Sequence, residues 1–122
     1  MSEPSAPGVT WRDLCADWMT VPDVSEAWGI DVNRVRQAIR DGHLAAARVD
    51  GVLQVPKVLV GDGQEVKGLR GVLTLLADAG YAPDEALRWL LTDDPTLPGS
   101  PAQALAENRG TEVKRRAQSL GF

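Results

Sequence analysis

Two helical patterns lie so close together between Thr20 and Asp41 that only a tight turn fits between them. Thr20 is a typical N-cap residue, and Gly29 is suited to end the first of the two helices. Asp31 opens the second helix almost immediately afterwards. Two helices this short and this close are predicted to form a helix-turn-helix.

A β-hairpin is predicted directly after the second helix. Asp50-Gly51 is a pair typical of a tight type I′ turn, and it lies between two strand-like runs, 44–49 and 52–55. Pro56 ends the second run, since proline has no amide hydrogen for a strand ladder. A hairpin in this position is the wing of a winged helix-turn-helix.

The rest of the chain is predicted to add helices around this module. A short helix capped by Thr10 precedes it, with apolar residues at helical spacing, namely Trp11, Leu14, Cys15 and Trp18. Residues 58–66 are predicted to form a short strand or loop. Further helices are expected from Leu69 to Gly80, from Pro83 onward and over 111–119, with a turn-rich connection over 93–103.

The predicted fold class is therefore mainly α with a small β-hairpin wing, a winged helix-turn-helix plus a C-terminal helical extension. We expect three parts along the chain. Residues 1–9 form a flexible tail, residues 10–60 the winged domain with its N-terminal helix, and residues 61–122 the helical extension.

The charge distribution favours a nucleic-acid contact in the winged segment. The whole chain has a net charge of −4, yet residues 31–57 carry five basic and only three acidic side chains. Because the DNA backbone attracts Lys and Arg, this net-positive stretch is the part of an acidic chain that suits DNA. The excess is small, so we expect modest affinity that is sensitive to salt.

The second helix of the motif carries the candidate DNA contacts. At about 100° per residue, its aliphatic side chains gather on one face and its polar side chains on the other. Arginine can pair with guanine, and asparagine or glutamine with adenine, through two hydrogen bonds each. Any surface helix has a solvated polar face, but this one lacks an acidic residue before Asp41 and is followed by a wing. We expect base contacts from Asn33, Arg34 and Gln37, and phosphate contacts from Arg36, Arg40, Arg48 and Lys57.

Two secondary contacts are also expected. Gln54 is a candidate on the wing. The backbone amides that begin the first helix of the motif are candidates for one more phosphate.

Enzyme chemistry finds little support in the sequence. Cys15 and His43 are the only cysteine and histidine, so an internal disulfide and a cysteine-based metal site are excluded, and a zinc or iron site lacks convergent ligands. Asp93-Asp94 precedes Pro95 and is typical of a helix stop rather than a catalytic carboxylate pair. A phosphate-binding glycine motif is absent as well. We expect no enzymatic activity, no metal and no cofactor.

The location of the protein is predicted from what the chain lacks. No apolar run reaches the roughly 20 residues that cross a bilayer. The N-terminal residues do not follow the pattern of a signal peptide. We therefore expect no membrane contact and a cytoplasmic protein associated with the nucleoid.

The motifs of the winged segment resemble those of a known class. The segment from Met19 to Lys57 resembles the winged helix-turn-helix of the MerR and excisionase class, through TVPDVSEAWGID, NRVRQAIRDGHL and ARVDGVLQVP. From about Trp18 to Phe122 the chain is similar to an actinobacterial DNA-binding protein family whose mycobacterial member is a substrate of a serine/threonine protein kinase. The matching pieces are DGHLAAARVDGVLQVPKVLV, GQEVKGLRGVLTLLADAGY, ALRWLLTDDPTL and EVKRRAQSLGF.

This resemblance implies a winged-helix fold, binding to double-stranded DNA and no enzymatic activity. It also implies a serine/threonine kinase as a partner that acts on the N-terminal tail, with Ser2, Ser5 and Thr10 as candidate acceptors. A phosphate there adds nearly two negative charges and would repel DNA.

Two alternatives stay open at this point. The stretch WLLTDDPTLPGSPAQALAENRGTEVKRRAQSL looks like the toxin-binding segment of certain antitoxins. The chain would then be a protein-interaction module, antitoxin-like or an adaptor, in which the helix-turn-helix serves as scaffold. The function favoured here is sequence-preferring DNA binding for transcriptional regulation. The C-terminal helices would either pair two copies as a homodimer or complete the core of one.

Overall fold

The computed structural model describes residues 10–97 and 99–121, so the expected tail over 1–9 lies outside the described residues. Within these ranges the chain forms short strands, a 3-10 helix at Lys57–Leu59 and seven α-helices. The strands are β1 (Trp18–Thr20), β2 (Ala47–Val49) and β3 (Val52–Pro56), and the helices are α1 (Trp11–Leu14), α2 (Val21–Trp28), α3 (Val32–Arg40), α4 (Leu69–Asp78), α5 (Pro83–Leu91), α6 (Pro101–Ala106) and α7 (Gly110–Ser119).

The predicted helix-turn-helix is confirmed. Thr20 and Asp23 form a reciprocal capping box at the start of α2, in which the Asp23 amide donates to Thr20 Oγ1 at 3.3 Å and the Thr20 amide donates to Asp23 Oδ2 at 3.2 Å. Gly29 ends α2 in a left-handed conformation with φ +65°. Asp31 is the N-cap residue of α3, but its side chain makes no capping hydrogen bond. Gly42, with φ +77°, follows α3 as expected.

The predicted hairpin is confirmed, and the wing is part of a three-stranded antiparallel sheet with the order β1-β3-β2. Asp50 and Gly51 both have positive φ, +54° and +81°, as a type I′ turn requires, and the turn pairs Val49 with Val52. The first strand is shorter than expected, because β2 begins at Ala47 rather than at residue 44.

The expected N-terminal helix is only partly right. A capping box between Thr10 and Asp13 does start α1, but the helix stops at Leu14 because Cys15 is extended. The expectation that Trp18 belongs to this helix is wrong. Trp18 begins β1 and pairs with Pro56, so its backbone gains a partner in β3 that a helix would not provide.

The C-terminal helices follow the expected apolar periodicity, with one addition. Helix α6 begins in the stretch that was expected to be a connection and extends beyond it to Ala106. It begins where the Ser100 Oγ accepts a hydrogen bond from the Gln103 amide at 3.1 Å, with Pro101 in its first turn. Residues 58–66 contain the end of the 3-10 helix and a loop, but no strand.

A single hydrophobic core unites the winged segment with the C-terminal helices. Val24 of α2, Val35 of α3 and Val55 of β3 are fully buried in the same cluster as the leucines of α4 and α5. The Trp28 indole also donates to the carbonyl of Val60 at 2.7 Å. This core contains residues from both sides of the domain boundary that was expected at residue 60, and the division into domains stays a prediction. The predicted fold class, a mainly α winged helix-turn-helix with a C-terminal helical extension, is confirmed.

The helices of the described ranges fall short of what a bilayer requires. None of them combines the length and the apolar composition needed to cross one.

Candidate nucleic-acid interface

Helix α3 turns one face into the core and the other to solvent. Val35 is fully buried and holds the helix against α2. At about 100° per residue, the outer side chains fall into a central face with an arginine on each side. All of the outer side chains are exposed, with Asn33, Gln37 and Arg40 on the central face and Arg34 and Arg36 on the flanks.

Gln37 stands in a chain of hydrogen bonds along α3. Its Nε2 donates to Asp41 Oδ1 at 2.8 Å, and its Oε1 accepts from Arg40 Nη2, also at 2.8 Å. Both ends of the Gln37 amide are therefore engaged within the helix. A base that pairs with Gln37 would compete with Arg40 and Asp41 for the orientation of this amide.

Arg36 and Arg48 meet on the wing side of α3. They line an open groove of about 280 Å³ together with Thr20, Gly51 and Val52. Neither arginine has an ion pair or a side-chain hydrogen bond with another described residue. Two exposed guanidinium groups without a carboxylate partner create a site of positive potential that suits an anion such as a backbone phosphate.

The start of α2 borders the same groove, but it offers less to a phosphate than expected. The capping box uses the Asp23 amide and brings the Asp23 carboxylate to this helix end. Pro22 supplies no amide hydrogen. A phosphate at this point would compete with the capping box.

The wing also exposes an apolar side chain. Val52 is 48% exposed, and it is the only large hydrophobic residue of the described ranges in that condition. It follows Gly51 directly and lines the groove of Arg36 and Arg48. An exposed apolar side chain beside two free arginines suits contact with a sugar and a phosphate of the same backbone.

Helix α1 extends the wing on its outer side. Arg12 Nη2 lies 2.9 Å from Asp50 Oδ2, so the carboxylate at the wing tip is neutralised by an arginine of α1. Arg88 of α5 lies 4.8 Å above the ring of Trp11. Thr10, Arg12, Arg48 and Arg88 line one further groove. Sequence reasoning missed Arg12, because nothing local links it to a residue 38 positions away.

Two wing residues lie away from this arrangement. Lys57 is exposed but follows β3, at the opposite end of the strand from the turn at Asp50-Gly51. The expectation that Gln54 assists on the wing is wrong. Gln54 is only 9% exposed, and its Nε2 donates to the Val49 carbonyl at 3.1 Å, since a buried amide needs a partner inside the fold.

The other flank of α3 faces the C-terminal helices. Arg34 lines an open groove of about 360 Å³ together with Trp28, Gln64, Glu65 and Arg70. Arg70 belongs to the first turn of α4, and its Nη2 lies 3.1 Å from Glu65 Oε1. Sequence reasoning did not associate Arg70 with α3, because the two meet only through the tertiary fold.

The isolated cysteine and histidine are not joined into a metal site. Among residues 10–97 and 99–121, no group of three or more His, Cys, Asp or Glu side chains is arranged to hold a metal ion. Cys15 is half-buried, its Sγ donates to the Asp17 carbonyl at 3.3 Å, and burial raises its pKa. A raised pKa keeps the thiol protonated and therefore weakly nucleophilic.

Comparison with known proteins covers nearly all of the chain. The family described as "DNA-binding protein Rv2175c, wHTH domain" matches residues 13–60, and the "Rv2175c C-terminal domain of unknown function" matches residues 66–121. The chain is 41% identical over 115 residues to the DNA-binding protein Rv2175c of Mycobacterium tuberculosis, covering 84% of this chain and 79% of that protein. The NMR structure of Rv2175c matches with a TM-score of 0.79 and 34% identity, over 99% of this chain and 87% of that one.

Proposed function

The chain belongs to the family of the DNA-binding protein Rv2175c, and from this premise we propose that it binds double-stranded DNA with α3 in the major groove. The observation that carries the proposal is the groove of Arg36 and Arg48 beside the exposed polar face of α3. Free guanidinium groups at the edge of a helix of this type meet the phosphates that border the groove.

The central face of α3 would supply the base contacts. Asn33 is exposed near the N-terminus of α3, the end that enters the groove first in such modules. Gln37 would join it once Arg40 and Asp41 are displaced from its amide. Arg40 is then free to bind a phosphate, together with Arg36 and Arg48. Arg34 is exposed on the side turned to α4 and would reach the edge of the groove.

Lys57 has a weaker role in this proposal. Its position beyond β3 keeps it away from the groove of Arg36 and Arg48, so it would contribute by long-range attraction to the backbone rather than by direct contact. The net charge of −4 repels DNA at a distance, so binding should be modest. The contacts between arginines and phosphates should make it fall steeply with salt. A cytoplasmic protein with these properties would act on transcription by occupying preferred sites.

Phosphorylation would act at the edge of the same surface. Thr10 is exposed and lines a groove with Arg12 and Arg48. A phosphate on Thr10 would attract Arg48 and so compete with DNA for it. The other candidate acceptors, Ser2 and Ser5, lie outside the described residues.

Fluorescence anisotropy of a labelled random duplex, titrated with protein at about 50 and 200 mM salt, tests the proposal. Wild-type protein should bind at low salt and lose affinity at high salt, and an Arg36→Ala/Arg48→Ala variant should lose most of the binding. The matched control is Lys114→Ala/Arg115→Ala, which removes the same charge from the exposed face of α7. No binding by wild-type protein at low salt would overturn the proposal and favour a protein-interaction module instead.

A further inference from the structure

The two arginine flanks of α3 point in different directions. Because two residues turn a helix by about 200°, Arg34 and Arg36 lie about 160° apart around the axis. They accordingly line separate grooves, Arg36 with the wing and Arg34 with the start of α4. The central face with Asn33 and Gln37 lies between them.

The groove on the Arg34 side brings a second arginine to the edge of α3. Arg70 of α4 is exposed, with 56% of its side chain accessible. Its ion-pair partner among the described residues, Glu65, is held at 3.1 Å and lines the same groove. Because an ion pair at the surface contributes little to stability, a backbone phosphate can take the place of Glu65.

The shape of the major groove brings a DNA backbone to the side of α3 that carries Arg34 and Arg70. The major groove is about 12 Å wide and is bordered by a phosphate backbone on each side. A helix with its side chains is about 10–12 Å across, so a helix seated there presents one flank to each backbone. Arg36 and Arg48 face one backbone, which leaves the other backbone to the flank of Arg34 and Arg70.

We propose that Arg34 and Arg70 bind the phosphate backbone on the side of α3 away from the wing. The C-terminal segment, which starts before α4, then contributes directly to DNA contact. This inference rests on the proposed DNA binding, and it adds a contact outside the winged domain. In the free protein Glu65 holds Arg70, and a phosphate takes its place when DNA binds.

Salt-dependent anisotropy with a duplex of about 20 base pairs tests the inference. Log K falls as log salt rises, and each lost phosphate contact makes this slope shallower by about 0.9. Arg70→Ala should make the slope shallower by about that amount and weaken binding at about 100 mM salt. Glu65→Gln should tighten binding, by about two- to fivefold at low salt, because it frees Arg70 and removes one negative charge. Arg115→Ala, an exposed arginine on α7, removes the same charge as Arg70→Ala and should leave the slope nearly unchanged.

The outcomes separate this inference from the proposal on which it rests. Equal slopes for Arg70→Ala and Arg115→Ala, with binding still lost in Arg36→Ala/Arg48→Ala, would overturn the contact between Arg70 and the DNA backbone. DNA binding by α3 would remain in place. Unchanged or weaker binding by Glu65→Gln would also overturn it. Wild-type protein that does not bind DNA at all would overturn both. Arg70 and Glu65 lie at the surface, so a circular dichroism melt should find both variants folded.

Discussion

Arg12 of α1 and Asp50 at the tip of the wing form an ion pair with 2.9 Å between Nη2 and Oδ2, although they are 38 positions apart in the sequence. The pair holds α1 beside the hairpin and offsets the one acidic charge of the turn. Asp50 lies next to Gly51, which borders the groove of Arg36 and Arg48. The ion pair thus affects how much negative charge the wing brings to a DNA backbone.

Removal of Arg12 should therefore weaken DNA binding without unfolding the protein. Arg12→Ala leaves the Asp50 carboxylate without its partner, and we expect a loss of about two- to fivefold in affinity. The pair is exposed, so the free energy of unfolding should change by only about 0–1 kcal/mol. Asp50→Asn should bind slightly more tightly than wild type, because it removes a negative charge from the wing tip. The turn should stay intact, since asparagine tolerates the positive φ of this position. In the double variant the affinity should return close to wild type, which a double-mutant cycle by anisotropy would measure.

Gln37 should determine the preference at one base position. Replacing it with alanine removes the amide that pairs with a base, at a cost of about 1–3 kcal/mol at that position and little elsewhere. A selection from random duplexes, compared between wild type and Gln37→Ala, measures this directly. Identical preferences in both proteins would show that α3 is seated differently.

Asp41 should oppose DNA binding. Its carboxylate is exposed at the end of α3 and accepts a hydrogen bond from Gln37 at 2.8 Å. Asp41→Ala removes a negative charge from the interface and releases Gln37, so affinity should rise at low salt. Asp93→Ala, which removes an exposed carboxylate after α5 and away from α3, is the matched control and should change affinity less.

Asp94 should make the stability of the C-terminal helices sensitive to acid. Its Oδ1 accepts hydrogen bonds from the Thr96 hydroxyl at 2.6 Å and the Thr96 amide at 2.8 Å, and these lower its pKa below the ordinary value of 3.8. A carboxyl group whose pKa is lowered by folding stabilises the protein above its unfolded pKa, and this stability disappears as the pH falls through the folded pKa. Asp94→Asn should melt below wild type at neutral pH, and the difference should shrink below about pH 4.

The control for this experiment is Asp93→Asn. The Asp93 side chain is exposed and makes no hydrogen bond with the described residues. The melting temperature of the Asp93→Asn variant should equal that of wild type over the whole pH range. A difference between Asp94→Asn and wild type that does not change with pH would contradict the assigned role of the Asp94 carboxylate.

Cys15 should react slowly in the folded protein. Because burial raises its pKa, less thiolate is present at a given pH than in an unfolded chain. Alkylation by iodoacetamide at about pH 8 should be slower in buffer than in urea, and the difference should narrow as the pH rises. Equal rates in buffer and in urea would mean that Cys15 is not protected by the fold and that the segment around it detaches readily from the rest of the protein.

Local signals made most of the fold predictable, whereas contacts between distant segments were out of reach. Thr20, Gly29 and the Asp50-Gly51 turn each act within a few residues, so the sequence identifies the ends of the elements that they bound. Trp18 was misassigned because its spacing fits a helix as well as a strand, and only pairing with β3 decides between them. Helix α6 was missed because its short apolar pattern lies among prolines.

The polar face of α3 was predictable because Asn33, Gln37 and Arg40 lie on one side of a single helix. The partners of that face were not. The ion pair of Arg12 with Asp50 and the approach of Arg70 to Arg34 arise from how separate elements pack. The burial of Gln54 likewise depends on the third strand, which no local pattern indicated.

NMR chemical-shift mapping would show which residues of the protein contact DNA. ¹⁵N-labelled protein would be titrated with a duplex at low salt while the backbone amide signals are followed. We expect the largest changes in α3, over 32–40, and in the wing, over 48–52, with smaller changes around Arg70. Changes confined to α6 and α7, or no change at all, would overturn DNA binding through α3 and the wing.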